Sequence, residues 1–313
     1  MNDVSDSSTR GPHVQREPGL PERVTVYEVG ARDGLQAEAG LVPTATKVQL
    51  VLDLRAAGLS LVEATSFVSP TWVPQLADAA EVLAGLGGDL TAYPVLVPNQ
   101  RGLDRALASG ARSVAVFVSA TETFARRNLN AGRDEAIEAA QRVAQSALAE
   151  GLTVRGYVSM CFGDPWEGAV AAETVAEVSR ALVDAGVYEV SLGDTIGVGT
   201  AGQVGRLVEA HAAAGVGADL LALHFHDTYG QALANVHAGL HAGVTCFDSS
   251  AGGLGGCPFA GSATGNLATE DLLWMLAGLG IETGVDLPAV VAAGRRMCDL
   301  LGRPRSRVAA ALA

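Results

Sequence analysis

Lysine is almost absent from this chain of 313 residues, in which Lys47 stands alone. Schiff-base catalysis requires a desolvated lysine in a pocket. The residues around Lys47 predict the start of an exposed helix, which makes this side chain a poor candidate for such an adduct. We therefore expect any carbon–carbon bond chemistry of this protein to be assisted by a metal ion.

Positive charge, cysteine and long apolar runs are scarce as well. The net charge of −13 argues against nucleic acid and anionic membranes as general partners, because both are themselves negative. No apolar stretch approaches the length of about 20 residues that a transmembrane helix needs. The cysteines show no C-x-x-C spacing, which predicts a reducing cytoplasm as the setting: Cys161, Cys246, Cys257 and Cys298.

The first 22 residues are polar and carry several acids and prolines. They predict a disordered tail, because a transit peptide would be poor in acids and a secretory signal would need an apolar segment. Residues 23–313 are expected to form one catalytic domain, since this length is ordinary for a single α/β barrel. The tail is not expected to take part in the chemistry.

From residue 24 onward, short apolar runs alternate with alanine-rich segments of helical period, as in repeated βα units. The runs predict strands over residues 24–29, 61–64, 91–97, 113–118, 153–159, 189–192, 220–226 and 245–248. The other segments predict helices over residues 44–57, 74–86, 102–109, 134–150, 173–185, 201–214, 232–241, 269–279 and 288–301. About eight βα pairs predict a (β/α)8 TIM barrel with an additional C-terminal helical segment. An open doubly wound sheet is disfavoured, because Gly-x-Gly-x-x-Gly does not follow the first strand.

Two histidines, His224 and His226, are separated by one residue in a predicted strand. Side chains alternate along a strand, so both imidazoles point to one face and can bind one ion. Asp33, after the first strand, is the acidic candidate for a third ligand. A lone His-x-His is more often two unrelated histidines. Here, however, further polar side chains follow predicted strands at their carboxyl ends, where barrel active sites lie: Arg32, Glu63 and Asp194.

A glycine-rich loop over residues 252–261 follows the last predicted strand. Its glycines favour a lid that moves over the site, although a plain flexible turn is the alternative. A phosphate cradle is disfavoured, because the Gly-Lys-Ser/Thr ending of a P-loop is missing. Cys257 within this loop is either a small apolar residue or an exposed reactive thiol, and the flanking glycines favour the thiol.

Several longer stretches are similar to the 3-hydroxy-3-methylglutaryl-CoA lyases, a family of metal-dependent barrels. They are residues 28–36 (EVGARDGLQ), 63–70 (EATSFVSP), 191–200 (SLGDTIGVGT), 224–235 (HFHDTYGQALAN), 255–260 (GGCPFA) and 265–271 (GNLATED). The resemblance extends from about residue 24 to residue 301 and therefore covers nearly the whole chain. It implies an enzyme that acts on an acyl-CoA and forms a homodimer.

The resemblance also implies a role for individual residues. It implies a Mg²⁺ or Mn²⁺ ion bound by four side chains: Asp33, His224, His226 and Asn266. It implies that Arg32 binds the thioester carbonyl and that Cys257 is the catalytic thiol. Asp33, His224 and a metal-bound water are the candidates to take the hydroxyl proton. Residues implied to line the site or contact substrate are Glu63, Asp194 and Asn128, with Glu28 in support. Asn128 follows Arg126 and Arg127, which either meet the CoA phosphates or form a solvated charge pair.

The implied reaction is the retro-Claisen cleavage of 3-hydroxy-3-methylglutaryl-CoA to acetoacetate and acetyl-CoA, a step of leucine degradation. A lyase for a longer branched 3-hydroxyglutaryl-CoA is an alternative, because an acyl pocket cannot be delimited from sequence. A condensing synthase of the isopropylmalate or homocitrate type usually has more chain after the barrel and lacks the Gly-Gly-Cys-Pro loop. A non-catalytic barrel that binds acyl-CoA or metal would not need the thiol, the arginine and a full ligand set together.

Overall fold

The fold is that of a computed structural model, which describes residues 11–38, 40–256 and 265–312. Nine parallel strands form one sheet, in the order β2-β1-β9-β8-β7-β6-β5-β4-β3. The strands are β1 (Thr25–Glu28), β2 (Leu61–Val62), β3 (Thr65–Ser66), β4 (Val95–Leu96), β5 (Ser113–Ser119), β6 (Thr153–Ser159), β7 (Val190–Asp194), β8 (Leu221–Phe225) and β9 (Cys246–Ser249).

The two ends of this strand order, β2 and β3, are neighbours in the chain. Between them, the Glu63 N–H donates to Glu28 O at 2.8 Å, on the β1 side. The Ala64 N–H donates to Pro94 O at 2.9 Å, on the β4 side. Residues 61–66 thus occupy one strand position of the barrel, interrupted at Glu63 and Ala64, and they close the sheet. This confirms the predicted TIM barrel.

Helices cover the outside of the barrel. They are α1 (Thr44–Ala56), α2 (Ala79–Leu86), α3 (Gln100–Ala108), α4 (Glu122–Leu129), α5 (Arg133–Ala149), α6 (Ala172–Asp184), α7 (Ala201–Ala213), α8 (Ala232–His241), α9 (Thr269–Gly278), α10 (Leu287–Leu301) and α11 (Arg307–Ala311). Short 3-10 turns occupy Pro74–Leu76, Leu90–Ala92, Ala218–Leu220 and Ala251–Gly253, and a π-turn occupies Gly30–Gly34. Helix α10 is the predicted C-terminal helical segment, and the short helix α11 that follows it was not predicted. In the ranges described, no helix has both the length and the hydropathy that a bilayer crossing requires.

The core lies between the sheet and this helical layer. Every residue of β8 is buried, as expected of a parallel strand that is covered on both faces. Helix α6 buries Val175, Val178 and Leu182, which share one face of the helix. Each such side chain contributes about 1.5–3 kcal/mol when it leaves water. The apolar period of α6 therefore orients this helix on the sheet.

The predicted exposure of Lys47 is wrong. Its side chain is buried, because α1 packs beside α2 and the ammonium group donates to Gln75 O and to Asp78 Oδ1, the latter at 2.8 Å. The charge is compensated in the helical layer, and Lys47 is not among the described residues that line the site cavity. Its exclusion as a Schiff-base residue rests on this pairing and not on exposure.

Residues 11–22, which the sequence assigns to the disordered tail, lie against the barrel. The Gln15 N–H donates to Gly278 O at 2.8 Å. The Glu17 carboxylate contacts two histidines of α8, and residues 1–10 lie outside the described range. Most of these contacts are backbone or ionic, and such contacts leave little apolar signature in the sequence.

Candidate metal centre and substrate cavity

The turn after β1 presents Arg32 and Asp33 at the carboxyl end of the barrel. Three successive N–H groups, from Arg32 to Gly34, donate to Val29 O at 2.7–3.1 Å and make the turn wider than an α-helical one. The Glu28 carboxylate fixes the turn by accepting from the Gly30 and Ala251 N–H groups at 2.8 and 2.9 Å. A Cβ at Gly30 would lie 2.6 Å from Glu28 Oε1, so a side chain there would displace the carboxylate that fixes the turn.

The predicted metal ligands come together at this end. His224 and His226 project from the end of β8 with ring centroids 5.3 Å apart. One ligand atom from each imidazole and one from Asp33 all lie within 4.8 Å of one another. The Asn266 side chain donates its Nδ2–H to Asp33 Oδ2 at 2.8 Å and completes the set of four.

The chemistry of these side chains fits a divalent cation. The Nδ1 atom of His226 is buried and has no hydrogen-bond partner among the described residues, which is unusual for a polar atom outside a ligand site. Burial and the neighbouring His224 lower the pKa of His226 to about 4, so its ring is neutral. Burial alone would raise the pKa of Asp33, but Arg32 and the two imidazoles lower it to about 2. A neutral imidazole and an ionised carboxylate are the forms that bind metal.

Asp248 orients His224, a role that sequence reasoning missed. His224 Nδ1 lies 3.3 Å from Asp248 Oδ2, which leaves Nε2 for an ion. Arg155 Nη2 and Ser191 Oγ donate to the same carboxylate at 2.7 and 2.8 Å. Burial would lower the pKa of His224, but the hydrogen bond to Asp248 together with the negative charges of Asp33 and Asp248 raises it. The available signal was an acid at the carboxyl end of a predicted apolar strand.

Arg32 is held between two carboxylates. Its Nε–H donates to Glu63 Oε2 at 2.8 Å and its Nη1–H to Asp33 Oδ1 at 2.6 Å. The Tyr157 hydroxyl also donates to Glu63 Oε2, at 3.1 Å. Glu63 is fully buried and is absent from the described residues that line the cavity. Glu63 therefore contacts Arg32 and not the described cavity wall, and its contact with substrate stays a prediction.

Asp194 also differs from its expected position on the cavity wall. Its carboxylate turns into the loop after β7, where it accepts from the Val198 and Gly199 N–H groups at 2.9 and 3.0 Å. Burial raises the pKa of Asp194 to about 6 despite these bonds. Among the described residues, its neighbours Gly193 and Thr195 line the cavity and Asp194 does not. The N–H groups of Val198 and Gly199 therefore hold the Asp194 carboxylate in the loop and away from the cavity wall.

A cavity of about 520 Å³ opens beside these groups. Its polar wall includes Arg32, Asp33, both site histidines and Asn128. Much of the remaining wall is apolar or aromatic: Val68, Trp72, Val73, Leu96, Phe117, Phe124, Leu129 and Tyr157. Of the basic pair before Asn128, Arg126 pairs with Glu122 at 2.5 Å and Arg127 lies 4.4 Å from the Trp166 ring centroid. Cys257 lies outside the described residues, and the preceding Gly256 lines the cavity.

Fold and site together define a class of protein: parallel α/β-barrel enzymes with a cluster of metal-type ligands at the carboxyl end of the strands. Residues 23–296 match the model of the HMGL-like family. The chain belongs to this family.

Individual relatives agree with this assignment. A Pseudomonas aeruginosa protein named 3-hydroxy-3-isohexenylglutaryl-CoA/hydroxy-methylglutaryl-CoA lyase is 52% identical over 295 residues, which cover 94% of this chain and 98% of that protein. The mitochondrial hydroxymethylglutaryl-CoA lyase of Bos taurus is 51% identical over 294 residues, or 93% of this chain and 90% of that protein. The crystal structure of hydroxymethylglutaryl-CoA lyase from Pseudomonas aeruginosa superposes with a TM-score of 0.91 at 52% identity and covers 94% of this chain and 98% of that one.

Proposed function

We propose that this protein is a lyase that cleaves 3-hydroxy-3-methylglutaryl-CoA to acetoacetate and acetyl-CoA. The C3 hydroxyl loses its proton and becomes the ketone of acetoacetate while the C2–C3 bond breaks. The electron pair of that bond goes to C2 as the thioester enolate, which takes up a proton to give acetyl-CoA. The observation that carries the proposal is the convergence of Arg32, Asp33, His224 and His226 on one cavity. The names of the relatives at about half identity support the same substrate.

The divalent ion of this site is proposed to be Mg²⁺ or Mn²⁺. Asp33 and Asn266 offer oxygen atoms beside two imidazoles, a mixed set that suits either ion. When bound, the ion supplies Lewis-acid polarisation of substrate oxygens. The hydrogen bond from His224 to Asp248 and the bond from Asn266 to Asp33 hold two of the ligands in place beforehand.

Arg32 stabilises the negative charge that develops on the thioester oxygen. Its bonds to Glu63 and Asp33 fix the guanidinium, and further N–H groups of its planar fork remain for a ligand in the cavity. A donor that is fixed before the reaction needs no reorganisation as the enolate forms. Glu63 therefore serves as a positioning residue for Arg32.

Two protons must move. Asp33 and His224 are the side chains proposed to take the hydroxyl proton, and Asp33, with its pKa of about 2, is the weaker base. The Cys257 thiol is proposed to deliver the proton to the enolate carbon. Support comes from its place in the chain, because Gly256 lines the cavity and a Cβ at Gly255 would touch the Asn266 side chain.

The substrate class is an acyl-CoA. Asn128 is proposed to contact it from the cavity wall. The free and buried thiols of Cys161, Cys246 and Cys298 support a reducing cytoplasm as the compartment. A homodimer is proposed from the family resemblance, and light scattering of the purified protein tests it.

A panel assay tests the proposed function. Purified protein with Mg²⁺ is incubated with 3-hydroxy-3-methylglutaryl-CoA, with analogues that carry longer C3 branches, and with acetyl-CoA plus 2-oxo acids. We expect acetyl-CoA release from the methylglutaryl thioester. Efficient release only from the longer thioesters would identify the alternative lyase, and consumption of acetyl-CoA with an oxo acid would identify a synthase.

A further inference from the structure

A second group of metal-type ligands lies away from the candidate active site. His237 and His241 are one turn apart on α8, so both side chains lie on one face of the helix. The Glu17 carboxylate lies between them, with Oε2 2.9 Å from His237 Nε2 and Oε1 2.9 Å from His241 Nε2. The three side chains bring one ligand atom each within 4.8 Å of the others.

The position of this group separates it from the cavity. Helix α8 begins after the carboxyl end of β8 and runs back to the amino end of β9, and His241 is its last residue. Glu17 belongs to the segment that leads into the amino end of β1. The group therefore lies toward the amino end of the barrel, opposite the catalytic face, where residues serve stability and not catalysis.

Glu17 is held in place by its own segment. The Gln15 N–H donates to Gly278 O at 2.8 Å, two residues before the carboxylate. On the helix, the two imidazoles meet edge to face, with centroids 4.7 Å apart and an interplanar angle of 77°. Hydrogen bonding to His237 lowers the pKa of Glu17, so the carboxylate is ionised, as a ligand must be.

Hydrogen bonds alone give this arrangement little energy. All three side chains are more than one third exposed, at 38%, 39% and 46%. An exposed ionic pair contributes little to stability, because water and salt screen it. A tetrahedral ion with bonds of roughly 2.0–2.2 Å needs ligand atoms about 3.4 Å apart. The imidazole–carboxylate distances of 2.9 Å and the limit of 4.8 Å among the three ligand atoms bracket this separation.

We propose that Glu17, His237 and His241 form a second metal site, which binds Zn²⁺ or a similar transition-metal ion and fastens the residues before β1 to α8. Two imidazoles and one carboxylate are a ligand set that zinc takes with a water molecule in the fourth position. Mg²⁺ prefers oxygen ligands, so it does not compete well for two imidazoles on an exposed helix. The ion stabilises the fold and takes no part in the lyase reaction.

Zinc binding is measured directly, with His237→Ala and His241→Ala compared with the wild type by equilibrium dialysis against Zn²⁺ in excess Mg²⁺. Even a residue that only supports a ligand typically contributes about 10–100-fold to metal affinity, so loss of a ligand should cost at least as much. Each variant should bind one zinc ion fewer than the wild type. The exposed His13 is the matched control, and His13→Ala should keep the wild-type stoichiometry.

A second readout reports the position of the ion. Trypsin can cut after the exposed Arg16, next to Glu17, and Zn²⁺ should slow this cut in the wild type and in His13→Ala. Protection should be lost in His241→Ala and in Glu17→Gln, which keeps the size of the side chain. Equal zinc stoichiometry in the wild type and the histidine variants, or a cut rate in the wild type that Zn²⁺ does not change, would show a hydrogen-bonded contact only.

Discussion

Substitution of Arg32 distinguishes a role in substrate binding from a role in catalysis. It contacts two carboxylates, and the one on Glu63 is completely buried. We expect Arg32→Gln to lower kcat by about 10²-fold with unchanged metal content, because the lost interaction strengthens as enolate charge develops. Steady-state kinetics with elemental analysis measure both quantities. A raised KM at unchanged kcat would show that Arg32 binds the substrate and the transition state equally well.

The same substitution leaves Glu63 without its main partner. Breaking a buried ion pair by removing one member typically costs about 3–5 kcal/mol, so Arg32→Gln should also lower Tm. The double variant Arg32→Gln with Glu63→Gln is the control. It should recover much of the Tm and none of the kcat, which distinguishes a catalytic loss from partial unfolding.

The hydrogen bond between Asp248 and His224 is expected to support metal affinity. Asp248→Asn weakens the hydrogen bond that orients His224 and removes the charge that Arg155 pairs with. We expect the affinity for Mn²⁺ to fall by about 10–100-fold, with a lower Tm. Titration followed by Mn²⁺ electron paramagnetic resonance measures the affinity. Wild-type affinity in a folded variant would show that Asp248 does not orient the ligand.

Single residues could be predicted where neighbours in the sequence reveal them. His224 and His226 share a strand face and Asp33 follows the first strand, so the sequence predicted that the three lie close together, and they do. Their role as metal ligands stays a prediction. Asp248 pairs with Arg155 across 93 positions, and nothing near either residue indicates the other. The burial of Lys47 was missed for the same reason, since its partner Asp78 lies 31 positions away.

Gly255 and Gly265, which lie on either side of the undescribed part of the glycine-rich loop, contact each other. A Cβ at Gly265 would lie 2.6 Å from Gly255 C, so the two backbones touch and only glycine fits. Arg303 Nη1 donates to Gly255 O at 2.8 Å. The described residues Gly255 and Gly265 thus meet beside the Asn266 ligand.

Cys257 lies in this loop, and its substitution tests the loop's proposed role. Cys257→Ser and Cys257→Ala should keep fold and metal content yet lose most of kcat, because a hydroxyl is a much weaker acid than a thiol and alanine has no proton to give. Alkylation of the wild type should slow when an acyl-CoA is bound. Wild-type kcat in both variants would reassign the protonation to another group.

Most elements could be predicted from periodicity, and the exceptions have local causes. The strand predicted over residues 91–97 is a 3-10 turn followed by a two-residue strand, β4. Pro94 lies between them and has no N–H for the ladder. Helix α4 was missed because its eight residues are mostly polar and bury only Phe124 and Ala125. The lid motion of the loop stays a prediction.

For the whole molecule, two buried acids predict how stability changes with pH. Burial raises the pKa of Glu28 to about 7 and that of Glu270 to about 8. Between about pH 5 and pH 8 the folded state therefore holds protons that the unfolded chain has released, so these groups make stability fall as pH rises.

Glu270→Gln mimics the protonated side chain and should therefore reduce the loss of stability with rising pH. Near pH 5 the wild type and the variant should have similar free energies of unfolding. By pH 8.5 the variant should be more stable, by on the order of 1–3 kcal/mol. Urea unfolding at both pH values measures the difference, and parallel curves would contradict the raised pKa.

The barrel itself could be predicted because its signal repeats along the whole chain. Alternating βα units give the fold class even where single boundaries are off by a few residues. How residues 61–66 close the barrel could not be predicted, because it depends on two backbone hydrogen bonds to different neighbours, at Glu28 and Pro94. The contacts of Glu17 with α8 had no apolar signal either.

The central claim is that a metal ion at Asp33, His224, His226 and Asn266 is required to cleave the substrate. The most direct test is turnover of 3-hydroxy-3-methylglutaryl-CoA by protein stripped of metal with a chelator, before and after addition of Mg²⁺ or Mn²⁺. We expect no turnover without metal and, after addition, acetoacetate and acetyl-CoA in equal amounts. Full turnover by protein in which elemental analysis detects no metal would contradict it.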